Sequence, residues 1–339
     1  MANIAVVILN YNGRGFLQKF LPNVVQYSAP HVVIVADNAS KDDSVAYLQE
    51  NFPQVRLVLL KQNTGYSGGY NEALAQIEAD VYVLLNSDVA VTPDWLTPID
   101  NYLHENPSVQ ALQPKIRALH TPTHFEYAGA GGGFLDKYGY PFCRGRIFDT
   151  LEEDKGQYDN AIPVFWASGA CLIVRTETYR KLGGFAHDFF AHMEEIDLCW
   201  RIWRNGGKVH YLPASLVYHV GGGTLAQDNP QKTYLNFRNN LALLTRNLPA
   251  GKLFHTLLVR FCLDLIALMR FTGKLQFRQA QAILKAYWHF YKRWGFWRKK
   301  YVSLPNESKD APIYAKSIVW QYFAKGKKKF SELPTYPKL

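Results

Sequence analysis

Three acids and one histidine mark where this chain is equipped to do chemistry. Glu194, Glu195 and Asp197 stand together in MEEIDLCWRIWR, a segment whose spacing predicts a helix beginning at the acids. Farther on, the strand-like LVYHV carries His219 into the glycine run Gly221-Gly222-Gly223. Crowded acids raise one another's pKa, which is how a carboxylate becomes a base effective near neutrality. Successive helix residues point about 100° apart, so one of Glu194 and Glu195 faces a pocket while the other supports the fold. Paired acids followed by a histidine at a strand end predict a base beside a metal site. Far upstream, Asn86-Ser87-Asp88 closes another apolar run. A carboxylate there, beside an amide, can hold Mg²⁺ or Mn²⁺ against a diphosphate, with phosphate oxygens and water completing the shell. Each feature also has a plainer reading: acids complementing a helix dipole, an Asx turn ending a strand, a structural histidine.

Strands and helices must bring these residues together. Apolar runs at 4–9, 32–36, 55–60 and 81–85 predict strands, with helices near 15–27, 42–51 and 69–77 between them. Near-continuous Val/Ile/Leu strands separated by helices predict an α/β fold around a mostly parallel sheet covered on both faces. Ligands of such sheets bind at the carboxyl ends of the strands. Four polar clusters fall at those ends: Asn10-Tyr11-Asn12, Asp37-Asn38, Asn63 and Asn86-Ser87-Asp88. Asp37 is placed to accept hydrogen bonds from a nucleobase or ribose, or to cap the turn that follows it. The run from Asn63 to Asn71, NTGYSGGYN, opens a helix, and its glycines let backbone N–H groups approach an anionic ligand. It is neither a Walker loop nor a GxGxxG fingerprint. Between 108 and 230 the pattern is mixed: a glycine-rich stretch at 128–134, an acidic loop at 149–159, a strand at 170–174 and a helix at 176–182. No internal repeat appears.

With 48% hydrophobic and 19% charged residues over 339 positions, the chain has the composition of an ordered globular protein. Its four cysteines are scattered without a CxxC pair, which argues against a disulfide framework or structural zinc and fits a reducing cytoplasm. Residues 4–9 are too short for a signal-peptide core and lack a basic lead-in. The net charge of +10 is unevenly divided: residues 231–339 hold 21 Lys+Arg against 4 Asp+Glu, and residues 1–230 hold 17 against 24. That basic region reads as long helices rich in aromatics. Ala280, Ile283, Leu284, Tyr287, Tyr291 and Trp294 recur at helical spacing among lysines and arginines, which suits a helix lying in a membrane interface. Arg260 and Asp264 interrupt the apolar run before it, so a spanning helix is not expected. The alternative is an amphipathic helix packed on the preceding domain or on a second subunit. No nucleic-acid-binding motif accompanies the basic charge.

In their order, ILNYNGRGFL, VADNASKDDS, QNTGYSGGYNEAL, LLNSDV, ASGACLIVR, KLGGF and HMEEIDLCWR…YHVGGGT resemble the family 2 inverting glycosyltransferases of GT-A fold. The resemblance covers residues 3–240 and is nearest to the bacterial branch that includes rhamnosyltransferases of cell-surface polysaccharides. It implies a catalytic domain over 1–230, with a nucleotide-binding half (1–115) and an acceptor half (116–230), followed by a helical extension over 231–339. It further implies that Asn10, Tyr11, Asp37, Asn63, Gly69, Asn71 and Asn86 surround the nucleotide, and that Asp88 and His219 bind Mg²⁺ or Mn²⁺. Glu195 falls on the base position, where Glu stands in place of the usual Asp, with Asp197 in reserve and Glu194 beside them. Trp166 and Gly169 would line the acceptor side. The implied reaction moves a sugar from dTDP-rhamnose or a UDP-hexose to a glycan or lipid-linked acceptor, on the inner face of the cytoplasmic membrane, with peripheral contact through residues 252–301 and a possible homo-oligomer. Asn86, where many relatives have Asp, leaves open a catalytically impaired nucleotide-sugar binder. A nucleotidyltransferase is disfavoured because NTGYSGG contains no Lys or Arg.

Overall fold

The computed structural model describes residues 2–221, 229–300 and 310–334. The chain opens with β1 (Ile4–Asn10), α1 (Arg14–Ser28), β2 (Val32–Asp37), α2 (Ser44–Asn51), β3 (Arg56–Leu59), α3 (Gly65–Leu74) and β4 (Val81–Asn86). β1 lies between β2 and β4, β3 flanks β2, and all these pairings are parallel. Val6, Val7, Ile34, Val83 and Leu84 are completely buried, as expected of strands covered on both faces. The predicted strands and first two helices are present within a residue or two. α3 begins at Gly65, not near 69, because the Asn63 side chain accepts the Gly65 N–H at 2.9 Å and turns the chain early.

The chain continues through β5 (Val89–Val91), α4 (Thr97–Glu105), β6 (Val109–Ala118), β7 (Gly133–Asp136), β8 (Pro141–Cys143), β9 (Arg146–Ile147), β10 (Thr150–Leu151), β11 (Ile162–Pro163), β12 (Cys171–Arg175), α5 (Thr176–Lys181), α6 (Glu194–Arg204) and β13 (Lys208–His219). The main sheet has the order β11-β13-β6-β12-β4-β1-β2-β3, with β5 on β13. It is mixed: β12 runs antiparallel between β4 and β6, and β5 and β11 run antiparallel to β13. The glycine-rich and acidic stretches fold into a second sheet, β10-β9-β8-β7, completed by β14 (Ile313–Tyr314) from the far end of the chain.

Between these lie α7 (Pro230–Asn247), α8 (Ala250–Gly273), α9 (Phe277–Lys292) and α10 (Trp294–Lys299). They are built onto the sheet: one hydrophobic cluster contains Trp166 and Trp200 together with Leu241, Leu244, Leu253, Phe290 and Trp297. The two charges that interrupt the apolar run of α8 turn inward. Arg260 and Asp264 are both buried, and the Arg260 guanidinium stacks 3.6 Å above the Tyr140 ring. Asp264 accepts from Tyr140 at 2.6 Å, Tyr287 at 2.8 Å and Arg260 at 3.3 Å, tying α8 to α9 and to the β7–β8 turn. No helix among the described residues is long and apolar enough to cross a membrane. Removing one partner of a buried charge pair leaves the other uncompensated. Asp264→Ala should therefore cost about 3–5 kcal/mol in denaturant unfolding; a loss below about 1 kcal/mol would show that the cluster does not hold α8 in place.

Candidate active site

The polar ends of β1, β2 and the β3–α3 loop form one hydrogen-bonded edge. Asn10 donates to Asp37 at 2.9 Å and to the Ser40 hydroxyl at 3.2 Å, and Asp37 accepts the Ser40 N–H at 2.8 Å. The Asn38 amide donates to the Asn63 side chain and the Gly65 carbonyl, both at 3.1 Å. Asn10, Asp37 and Asn38 are buried, Tyr11 stands 42% exposed at the rim, and the side-chain oxygen Oδ1 of Asn10 is a buried acceptor without a donor among the described residues. Gly69 and Asn71 act from behind this edge. A Cβ on Gly69 would come within 2.9 Å of Asn38 and Leu9, so glycine is needed for α3 to approach β1. Asn71 is occupied by Phe185, donating to its carbonyl and accepting its N–H, both at 2.9 Å.

Asp88 and His219 meet because β5 pairs with the end of β13, setting Val89 opposite His219. His219 Nε2 lies 3.1 Å from Asp88 Oδ1. Its other ring nitrogen, Nδ1, lies 3.3 Å from Glu126, a close ion-pair contact without the alignment of a good hydrogen bond. Glu126 arrives because the chain after β6 doubles back, bridging Phe125 to Arg117. Burial disfavours charge on His219, but Asp88 and Glu126 outweigh it and raise the pKa to about 10. Among the described residues no group of three His, Cys, Asp or Glu side chains is arranged as a metal cluster. A hard cation needs only one or two protein carboxylates or their equivalents beside a diphosphate. Asp88 and His219 stand 3.1 Å apart, near enough for both to reach one such ion, which would take the place of the proton on Nε2. A carboxylate behind the second ring nitrogen is the usual support of a metal-bound histidine. Asn86 sits at the end of β4, its N–H donated to the Ala170 carbonyl at 3.0 Å. Gly222 and Gly223 lie outside the described residues.

The three acids divide by environment. Asp197 is completely buried and accepts from Arg201 and Asn247, each at 2.8 Å, and from Arg246 at 3.3 Å. Burial alone would raise its pKa, but the two guanidiniums and the amide hold it below the usual carboxylate value. Among the described residues Glu194 and Glu195 have no such partners, and each keeps a buried oxygen without a hydrogen bond. Burial, then the neighbouring Glu195 charge, pushes Glu194 well above the normal range. Burial raises Glu195 to about 7, partly offset by backbone N–H groups at the start of α6. Of the pair, Glu195, which keeps some exposure, is therefore the member that ionises first, and the deeper Glu194 keeps its proton to higher pH.

The loop feeding α6 is held in a conformation that non-glycine residues rarely adopt. Phe190, His192 and Met193 have φ of 66°, 69° and 74°. Asn239 of α7 fixes it by donating to the carbonyls of Phe189 at 3.0 Å and of Ala191 and His192, both at 2.8 Å. Phe190 closes over Gly65, where a Cβ would stand 2.5 Å from its ring and carbonyl. Gly169 lies next to this centre: its carbonyl accepts the Tyr66 hydroxyl at 2.7 Å, and Tyr66 is close enough to Glu194 and Glu195 to feel their charge. Trp166 is in the core, its ring against Gly133 and its N–H donated to Phe134 at 3.0 Å. Sequence reasoning missed Glu126, Tyr66 and Asn239.

A doubly wound parallel half-sheet with polar strand ends, followed by a carboxylate pair on a helix beyond an antiparallel strand, is the architecture of a GT-A glycosyltransferase. A sequence model described as "Glycosyltransferase like family 2" matches residues 2–238. The chain belongs to that family and is a glycosyltransferase. It is 28% identical over 244 residues to the N-acetylglucosaminyl-diphospho-decaprenol L-rhamnosyltransferase of Mycobacterium tuberculosis, covering 66% of this chain and 78% of that one. It is 24% identical over 228 residues to the rhamnosyltransferase WbbL of Escherichia coli K12, covering 64% and 83%. The fold resembles that of GalNAc-T7, solved with UDP, GalNAc and Mn²⁺, at a TM-score of 0.57 and 13% identity, over 73% of this chain and 48% of that chain. It resembles the mannosyltransferase PcManGT of Pyrobaculum calidifontis, solved with GDP-Man and Mn²⁺, at a TM-score of 0.53 and 14% identity, over 86% and 87%.

The environment of Asp197 makes a prediction about stability. Its folded pKa is depressed, so its contribution is present above the unfolded value near 3.9 and disappears as pH falls through the folded one. Asp197→Ala, which strands two buried guanidiniums, should cost about 3–5 kcal/mol at pH 7 in chemical denaturation. A variant as stable as the parent but inactive would instead mark Asp197 as a reacting group.

Proposed function

We propose that this glycosyltransferase moves a sugar, by single displacement with inversion, from a nucleoside-diphosphate sugar to a hydroxyl of a glycan or lipid-linked acceptor in bacterial cell-surface polysaccharide synthesis. The observation that carries the reading is the division among the acids: Glu195 is unpaired and tuned near neutrality, whereas Asp197 is consumed by structural ion pairs. Glu195 takes the proton of the acceptor hydroxyl as its oxygen bonds to the anomeric carbon. The bond from that carbon to the diphosphate breaks, and the nucleoside diphosphate leaves with the electron pair. Glu194, protonated beside it, limits repulsion within the pair. Asn10, Asp37, Asn63, Asn86 and the exposed Tyr11 ring form the donor's nucleotide edge, with Gly69 and Asn71 setting its backbone. Asp88 and His219 would hold Mg²⁺ or Mn²⁺, oriented by Glu126; such an ion neutralises charge on the departing diphosphate. Gly169, through Tyr66, borders the acceptor side, and Trp166 supports it from the core. The rhamnosyltransferase relatives favour dTDP-rhamnose over a UDP-hexose as donor.

Nucleotide sugars with Mn²⁺ or Mg²⁺ should raise the melting temperature, and no stabilisation by any of them would sink the proposal. Glu195→Gln should lower turnover at least ~100-fold while raising the melting temperature, because the glutamine carries no buried charge. Activity should fall as pH drops through about 7, where Glu195 takes up its proton. A rate that stays flat down to pH 5 would assign the base to a carboxylate of low pKa.

The helical extension supports peripheral contact with the cytoplasmic face of a membrane. α8 exposes Phe254 (78%), Leu258, Ile266 and Met269, and α9 exposes Trp288 (67%) and Tyr291. Lysines and arginines surround these side chains, the arrangement of an interfacial helix on anionic lipid. In liposome flotation the chain should follow phosphatidylglycerol vesicles, and Phe254→Asp with Trp288→Asp should release it. Flotation unchanged by both substitutions, or a monomer–dimer shift in their place, would reassign this face.

A further inference from the structure

A pocket of about 280 Å³ opens between α7, α9 and α10, lined by Tyr234, Arg238, His289, Lys292, Arg293 and Trp297. Three permanent cations meet there. The acid facing them is Asp188, 3.9 Å from Arg293 and also 3.8 Å from Lys300, so the pocket stays strongly positive. Lys285 adds to the field from beside the Tyr234 ring, 5.3 Å away. His289 bonds Tyr234 at 2.7 Å, and burial together with Lys285, Arg238 and Lys292 keeps its pKa below the ordinary value. Trp297 is 1% exposed, and its indole N–H has no acceptor among the described residues. Cations that outnumber the acid facing them, beside an unused buried donor, fit a phosphate better than solvent.

The position of the pocket says which phosphate. Arg238 donates to the Phe189 carbonyl at 3.0 Å, in the same loop that leads into Glu194 and Glu195. Six residues earlier on α7, about 9 Å along the axis, Lys232 lies 5.8 Å from the Tyr127 ring, next to Glu126. The pocket is therefore joined to the carboxylate pair through the loop that leads into it, and none of its lining residues belongs to the polar edge at β1 and β2. On its outer side α9 exposes Leu284, Trp288 and Tyr291, an apolar surface fit for a hydrocarbon chain.

We infer that this pocket is an acceptor subsite: it holds the phosphate or diphosphate that joins the acceptor sugar to a lipid. The inference rests on the acceptor reading above and adds the group by which the acceptor is recognised. Lys292 and Arg293 contribute charge to the anion, and Arg238 links the occupied pocket to the loop that carries the base.

The test is calorimetric titration of the full chain with inorganic pyrophosphate in metal-free buffer containing EDTA, so that no cation at Asp88 and His219 can capture it. Binding should be measurable and should weaken at least about tenfold in Lys292→Ala/Arg293→Ala, with nucleotide-sugar stabilisation unchanged. If that double variant folds poorly, Lys292→Glu alone, at an exposed head group, should give the same direction. No binding, or binding equal in parent and variant, would overturn the subsite. A second arm uses phosphatidylglycerol vesicles: variants that lose the vesicles but keep pyrophosphate would assign the charge to bilayer headgroups and overturn the inference. Absence of nucleotide-sugar stabilisation in the parent chain would overturn glycosyl transfer from such donors, and leaves the pyrophosphate result to be judged separately.

Discussion

The buried carboxylate of Asp197 is the interaction on which the site depends. It stands one turn into α6, in a core that would ordinarily exclude charge, and is kept ionised by Arg201 of its own helix and by Arg246 and Asn247 of α7. Arg201 extends the network by donating to the carbonyls of Leu182 at 2.7 Å and Gly184 at 2.8 Å. One carboxylate thus fixes α6 against α7 and against the loop that follows α5. With α6 fixed, its first turn can carry two acids that have no counter-ion. Solvating Glu194 and Glu195 with partners would make a more stable protein and a poorer base.

The same logic runs through the rest of the cleft. Asn71, Asn239 and Arg238 are polar side chains used on backbone carbonyls and N–H groups, and each immobilises a loop that faces the polar edge of the sheet or the carboxylate pair. The left-handed residues Phe190, His192 and Met193 persist because those bonds over-determine them. On the opposite wall, three residues of β5 bring Asp88 to His219, and a returning chain brings Glu126 behind it. The proposed reacting groups stand on helix and strand ends, while the amides behind them hold the geometry.

Much of this was legible in the sequence because burial leaves a strong imprint. The apolar runs at β1, β2 and β4 have no other explanation than strands covered on both faces, and their polar ends mark the carboxyl edge at which such sheets bind ligands. Glu194, Glu195, Asp88 and His219 stood out by type and by position on predicted elements. Other features depend on contacts between distant segments. Glu126 lies in an irregular stretch with no periodicity and becomes significant only once β6, the returning chain and β13 are neighbours. Trp166 looked like a cleft residue and proves to pack in the core, since only glycine at 133 makes room for its ring. Arg260 and Asp264 broke an apolar run in the sequence, but nothing local shows that both turn inward to meet Tyr140 and Tyr287.

α7 touches every part of this arrangement in turn. Lys232 stands by Glu126, Arg238 and Asn239 hold the loop before the acids, and Arg246 and Asn247 close on Asp197. The helix works as a ruler, with the separation between Glu126, the carboxylate pair and the structural carboxylate counted off in turns. A single residue inserted in it would rotate everything beyond by about 100° and advance it by about 1.5 Å, so the length of α7 is under a constraint as strict as the identity of any side chain it carries.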